Sequence, residues 1–218
     1  MAVRRTAKQR AVVIAERLAV EYPEAICELE HRNPFELLAA TILSAQTTDA
    51  RVNVVTPALF ARYPDATALA LADPGVLEEI VRSAGFYQTK TRNLIAMAQA
   101  LIERFDAQVP TALEDLVTLA GVGRKTANVV RSVAFKLPGL PVDTHVGRLS
   151  RKLGLTTEQD PVKVEAELGR YLAPPEWGDF SLRLILHGRR VCAAKKPLCG
   201  ECSLEDVCPS SILPRVRK

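Results

Sequence analysis

The sequence predicts an all-α fold. Apolar residues recur at helical spacing in nearly every segment, alternating strand patterns are absent, and N-cap residues precede one apolar run after another. Taken in order, AVVIAERLAVEY near the N-terminus is broken by Glu16 and Arg17, so it reads as an amphipathic helix and not as a signal sequence. Asn33 caps the next helix, Pro34 fills its first turn, and Glu36 is placed to reach back to the cap. The run 35–43 is almost wholly apolar, which predicts a centrally buried helix. Asp73-Pro74 opens a helix that ends near Gly85. Thr89 is expected to cap a long helix over 91–105, with Leu94, Ile95, Ala98, Leu101 and Ile102 on one stripe. Thr111 and Glu114 have capping-box spacing. A helix over 124–136 follows two glycines, Asp143 caps one that stops at Gly154, and Asp160-Pro161 starts another. The last is expected over 179–191. That makes about ten helices joined by short loops.

Length and composition are those of a globular chain: 218 residues, 48% hydrophobic, 25% charged. No uncharged apolar run approaches the roughly 20 residues of a bilayer span, so the expected location is cytoplasmic, with no membrane partner. The net charge of +4 conceals an asymmetry. Residues 1–120 hold 12 Lys and Arg against 15 Asp and Glu, whereas residues 121–218 hold 17 against 10. A solvated surface accounts for such an imbalance. So does a half that faces nucleic acid.

The basic half begins with the segment richest in chemistry, LAGVGRKTANVVRSVAFKLPGLPVD at 119–143. Gly121 and Gly123 form a tight turn just ahead of a helix, and glycine tolerates positive φ and lets an anion approach the backbone closely. The helix N-terminus adds partial positive charge. Such contacts would position nucleic acid without reading its bases. Lys125 is plainly readable as a solvated cation. Yet a helix N-terminus disfavours a cation, and that favours the neutral, nucleophilic amine. Asp143 is readable as an N-cap alone. A helix over 124–136 carries the chain about 18 Å from Lys125 at ~1.5 Å per residue. The seven links from Lys136 to Asp143 span at most about 25 Å. Asp143 could therefore return to Lys125 only through a nearly straight loop, which Pro138 and Pro141 favour.

Four of the five cysteines fall within 17 residues, Cys192, Cys199, Cys202 and Cys208, spaced C-x6-C-x2-C-x5-C. Disulfides are disfavoured in a chain without a secretion signal. Four thiolates suit tetrahedral zinc or a [4Fe–4S] cluster, although zinc ribbons usually carry two C-x2-C pairs and this chain has one. Cys27, far off in sequence, reads as an inert buried thiol. His145 and His187 show no metal spacing and read as structural. Trp177 and, from the residues alone, Phe86 read as core aromatics.

GVGRKTANVV followed by PVDTH, together with the cysteine spacing, resembles the helix-hairpin-helix DNA glycosylases, and among them the endonuclease III family. The likeness spans roughly residues 28–210. Ala120 departs from the proline usual before the first hairpin glycine. The resemblance implies a two-lobed fold: a six-helix barrel over 27–137, and a discontinuous lobe of 1–26 and 138–218 carrying a [4Fe–4S] loop at 192–208, with DNA across the cleft. It implies a bifunctional glycosylase and AP lyase of base excision repair, acting as a monomer on double-stranded DNA with oxidised, mainly pyrimidine, bases or abasic sites. Lys125 would attack C1′, Asp143 would activate it, and β-elimination would cut 3′ to the lesion. The hairpin (Gly121, Val122, Gly123, Arg124, Thr126) and the basic pair Lys195 and Lys196 would hold the phosphate backbone, and His145 would line the lesion pocket. Because the nucleotide must be flipped out, Gln46 of Ser44-Ala45-Gln46 and Phe86, where the prototype bears leucine, would fill the gap. Monofunctional relatives lack the lysine. A non-catalytic DNA-binding module would need neither the lysine nor Asp143.

Overall fold

A computed structural model describes residues 5–214; residues 1–4 and 215–218, the outermost parts of the expected discontinuous lobe, lie outside it. Among the described residues there are eleven α-helices, four short 3-10 turns and no strand, the all-α fold that the spacing predicts. The chain divides into two compact units, Cys27–Leu137, and Met1–Ile26 with Pro138–Lys218.

The first unit is built on α2 (Pro34–Leu43). Asn33 accepts from the Glu36 amide at 2.9 Å, and all nine residues from Phe35 to Leu43 are buried. Helix α3 (Asp49–Arg62) lays Val52, Val55, Leu59 and Phe60 on that core. The short α4 (Ala66–Ala70) and α5 (Pro74–Val81) follow, capped by Asp65 and Asp73. Next come a 3-10 turn at Arg82–Ala84 and α6 (Tyr87–Phe105), whose Leu94, Met97, Ala98 and Leu101 are fully buried. A single turn, α7 (Leu113–Leu116), leads through the glycine hairpin into α8 (Arg124–Ala134), which packs on α2 through Ala127 and Val130. Each fully buried leucine here contributes roughly 2 kcal/mol.

The second unit has its own core. It is formed by α1 (Ala7–Glu21) and α9 (Thr144–Lys152), then α10 (Pro161–Gly169) and α11 (Trp177–Arg190). Ile14, Leu18, Leu149, Leu168, Phe180 and Leu184 meet at its centre. Trp177 is only partly buried, lying against Gly169 and donating its indole N–H to the Leu172 carbonyl at 3.1 Å.

Several local expectations are corrected. Helix α3 is not among the segments named from the sequence; the Thr48 cap and the packing of its apolar face outweigh the hydrogen bond lost at Pro57. Helix α6 starts at Tyr87, before Thr89, and has no side-chain cap, since Phe86 takes a left-handed conformation and its carbonyl accepts from the Lys90 amide. Ile102 is exposed, off the buried stripe. Ala112, not Thr111, precedes α7, and no capping box forms there. Glu36 reaches past its cap to the Arg32 amide at 2.7 Å and to the Arg32 guanidinium. Helix α8 ends two residues early, because Lys136 turns left-handed at φ 55°.

Candidate functional site

The hairpin between α7 and α8 is held by its own backbone and by apolar burial. The Val122 amide donates to the Leu119 carbonyl at 3.1 Å, and Leu116, Leu119 and Val122 are buried. Val122 therefore closes the turn. The two glycines serve different ends. Gly121 has φ 76°, and a Cβ there would lie 2.9 Å from the Asn93 side chain, so the fold itself requires it. Gly123 has φ −87°, and a Cβ there would meet nothing within 4 Å. Nothing inside the protein demands a bare backbone at Gly123.

Gly123 is the N-cap of α8 and supplies no side-chain cap, and the first turn carries no acidic residue. Arg124 and Lys125 are exposed beside it and Thr126 is half-buried. An anion is the natural partner for such a helix start. Gly121→Ala should therefore destabilise the fold by about 1–2 kcal/mol. Gly123→Ala should leave thermal stability nearly unchanged and weaken duplex DNA binding. Melting curves and equilibrium DNA titrations on the two variants separate these outcomes.

Asp143 caps α9, its Oδ1 accepting from the Val146 amide at 2.8 Å. Oδ2 makes no hydrogen bond among the described residues. The approach to Asp143 is fixed by burial: residues 139–142 are all buried, and the Pro141 carbonyl accepts from Ser181 Oγ at 2.6 Å. Lys125 belongs to the first unit and Asp143 to the second. Because α8 stops at Ala134, nine links join it to Asp143, a reach of about 30 Å. The connecting loop need not be as straight as the longer helix would require. His145 lies against α11, where a Cβ on Gly188 would come within 2.8 Å of its Nδ1, and Arg148 Nη2 is 3.5 Å away.

Gln46 and Phe86 share an unusual feature. Both are non-glycine residues in the left-handed region, at φ 55° and 48°, and both are exposed. Phe86 is 66% exposed, which overturns its reading as a core aromatic. Cys27 is half-buried, and burial pushes its thiol upward.

Cys192, Cys199, Cys202 and Cys208 line one pocket together with Leu149, Leu198 and other apolar residues. No three His, Cys, Asp or Glu side chains among the described residues converge tightly enough for a single metal ion. Four thiols around one pocket are a donor set for a metal centre. Burial pushes the Cys202 thiol up to about 11 and raises Cys208 as well, so cation binding there must release protons. The surrounding groups were not legible in the sequence. His187 is buried, with Nε2 3.4 Å from Cys202 Sγ and Nδ1 3.3 Å from the Tyr22 hydroxyl; burial lowers its pKa, against the pull of Glu21. Arg148 Nη1 donates to the Cys192 carbonyl at 2.7 Å. The nearest signal for His187 was its place five residues before the first cysteine. Lys195 and Lys196 are exposed on the loop that the Leu198 amide closes onto the Val191 carbonyl at 3.0 Å. Among the described residues no helix is long and apolar enough to cross a membrane.

Comparison with known proteins places this geometry. Residues 39–174 match the HhH-GPD superfamily of base excision DNA repair proteins. Endonuclease III of Synechocystis sp. is 53% identical over 205 residues, covering 94% of each chain. A solved non-covalent endonuclease III–DNA complex superposes with a TM-score of 0.89 at 41% identity, covering 94% of this chain and 96% of that one. A trapped covalent endonuclease III–DNA intermediate matches with the same TM-score at 42% identity, again over 94% and 96%.

Proposed function

Because the chain belongs to the endonuclease III family of the HhH-GPD superfamily, we propose that it is a bifunctional DNA glycosylase and AP lyase of base excision repair in which Lys125 is the nucleophile. The observation that carries this is the start of α8. An exposed amine sits two residues past a bare glycine cap, at a helix terminus with no acidic residue in its first turn. Phosphate bound at Gly121, Gly123, Arg124 and Thr126 sets the backbone of the lesion strand beside that amine.

The Lys125 amine attacks C1′ of the extruded nucleotide. The N-glycosidic bond breaks, and the base leaves with the bonding electrons and takes up a proton. Ring opening converts the aminosugar to an imine; loss of a C2′ proton then expels the 3′ phosphate by β-elimination, and water releases the enzyme. Asp143 takes the proton that Lys125 must lose and faces the positive charge that develops on the sugar. Gln46 and Phe86 fill the space left in the duplex, and His145 lines the pocket for the extruded base. Double-stranded DNA with oxidised pyrimidines or abasic sites is the substrate, bound by a monomer in the cytoplasm at the nucleoid. Lys195 and Lys196 meet its phosphates.

Cys192, Cys199, Cys202 and Cys208 would hold a [4Fe–4S] cluster, which supplies a rigid core for the loop that carries the two lysines. Freshly isolated anaerobic protein should contain about four irons per chain; stoichiometric zinc in its place overturns the assignment.

The test of the function is borohydride trapping. Native protein mixed with duplex DNA containing an oxidised pyrimidine or an abasic site should yield a covalent complex once the imine is reduced. Efficient strand cutting with no trapped species sinks the mechanism. A panel of lesions run the same way reads the preference that Phe86 imposes.

A further inference from the structure

Lys90 is the charged group that neither the hairpin nor the cysteine loop explains. It lies in the first turns of α6, yet it is only 3% exposed. Its Nζ donates to Thr47 Oγ1 at 2.7 Å and to the Ala84 carbonyl at 2.8 Å. Thr47 Oγ1 itself donates to the same Ala84 carbonyl. One amine thus joins two turns that lie 37 residues apart in sequence. No carboxylate pairs with it among the described residues, and desolvation lowers its pKa.

A buried ammonium without a counter-ion is costly, and a methionine of similar length would fill the same space without that cost. What methionine cannot do is bond both turns. Those turns carry Gln46, immediately before Thr47, and Phe86, two residues after Ala84. Both hold left-handed backbone conformations that non-glycine residues adopt only when the surroundings fix them. The two bonds from Lys90, beside the direct bond from Thr47 to Ala84, bridge the two turns.

We propose that Lys90 is a positioning residue that clips the Gln46 turn to the Phe86 turn, so that the two side chains enter the duplex as one rigid unit. The proposal rests on the reading of Gln46 and Phe86 as the gap-filling pair. Neither turn is continuous with the other through regular secondary structure, and a displacement of about 1 Å in such a constellation can cost on the order of a hundredfold in rate.

The test is a double-mutant cycle of Gln46→Ala and Phe86→Ala, made with and without Lys90→Met. Single-turnover base excision is measured on duplex DNA, and borohydride trapping on a single-stranded abasic oligonucleotide that has no stack to open. With Lys90 present, the two alanine substitutions should be non-additive, the pair costing less than the product of the singles. With Lys90→Met, duplex excision should fall about tenfold or more and the two substitutions should become independent, while single-stranded trapping stays within about twofold. Thr47→Val, which removes the bridging hydroxyl and keeps the volume, should move duplex excision in the same direction. Unchanged duplex excision and intact coupling in Lys90→Met overturn the proposal, as does an equal loss on both forms of DNA, which marks a merely structural lysine. If Gln46→Ala and Phe86→Ala leave duplex excision unaltered, the gap-filling reading falls and takes the clip with it. If they lower it and Lys90→Met does not, the clip alone is wrong.

Discussion

Lys125→Ala should abolish the borohydride-trapped complex and lower β-elimination at an abasic site by at least about a thousandfold. The magnitude follows from what is removed. In the proposed mechanism the amine forms the covalent bond to C1′, and neither the hairpin nor Asp143 carries a substitute nucleophile of that kind. Binding should change far less, because Lys125 is one of several cations on the basic half. Stability should not fall either. A cation in the first turn of a helix opposes the helix dipole, so alanine there is neutral or slightly stabilising, by a few tenths of a kcal/mol at about the scale of such surface terms. The variant should thus bind duplex DNA within a few fold, melt at or just above the native temperature, and form no imine. Strand cutting at the native rate by this variant would remove Lys125 from the mechanism. Lost folding would show that the residue has a structural part that its exposure does not suggest.

How much of this was legible beforehand depends on whether the determining contacts are local. Asn33, Asp73, Asp143 and Asp160 each cap the helix that follows them, because a cap is a contact over three residues and is written in the sequence. The buried run of α2 and the spacing of the four cysteines are equally local patterns. The start of α6 was misplaced for the opposite reason. It has no side-chain cap, and its boundary is set by the left-handed Phe86. Helix α3, which the sequence reading did not name, carries Pro57 inside it and packs on α2. Lys90 and His187 are the clearest cases. Lys90 has no local signal, and its bonds depend on Thr47 and Ala84 arriving from elsewhere. His187 acquires its place only when Tyr22 and Cys202, 165 and 15 residues away, close around it. In the same way, the sequence treats Gly121 and Gly123 alike, and only their surroundings separate the glycine the fold needs from the one left bare.

Asp143 presents the sharpest test of role against structure, because the proposal gives one side chain both. As the cap of α9 its Oδ1 accepts from the Val146 amide. As a catalytic carboxylate it must accept a proton and face positive charge. Asparagine keeps the first property and removes the second: its side-chain oxygen caps a helix about as well as that of aspartate. Asp143→Asn should therefore melt within a degree or two of the native protein, apart from the few tenths of a kcal/mol, about the scale of one charge at a helix N-terminus. Its rate of base excision should fall by roughly 10²- to 10⁴-fold, the range for losing a positioned proton acceptor and its charge. Asp143→Ala should lose the same activity and also about 1 kcal/mol of stability, since the cap goes with the carboxylate. Comparing the two variants by melting and by single-turnover excision divides the residue into its parts. If asparagine restored both stability and rate, Asp143 would be a helix cap and nothing more, and the proton from Lys125 would need another acceptor.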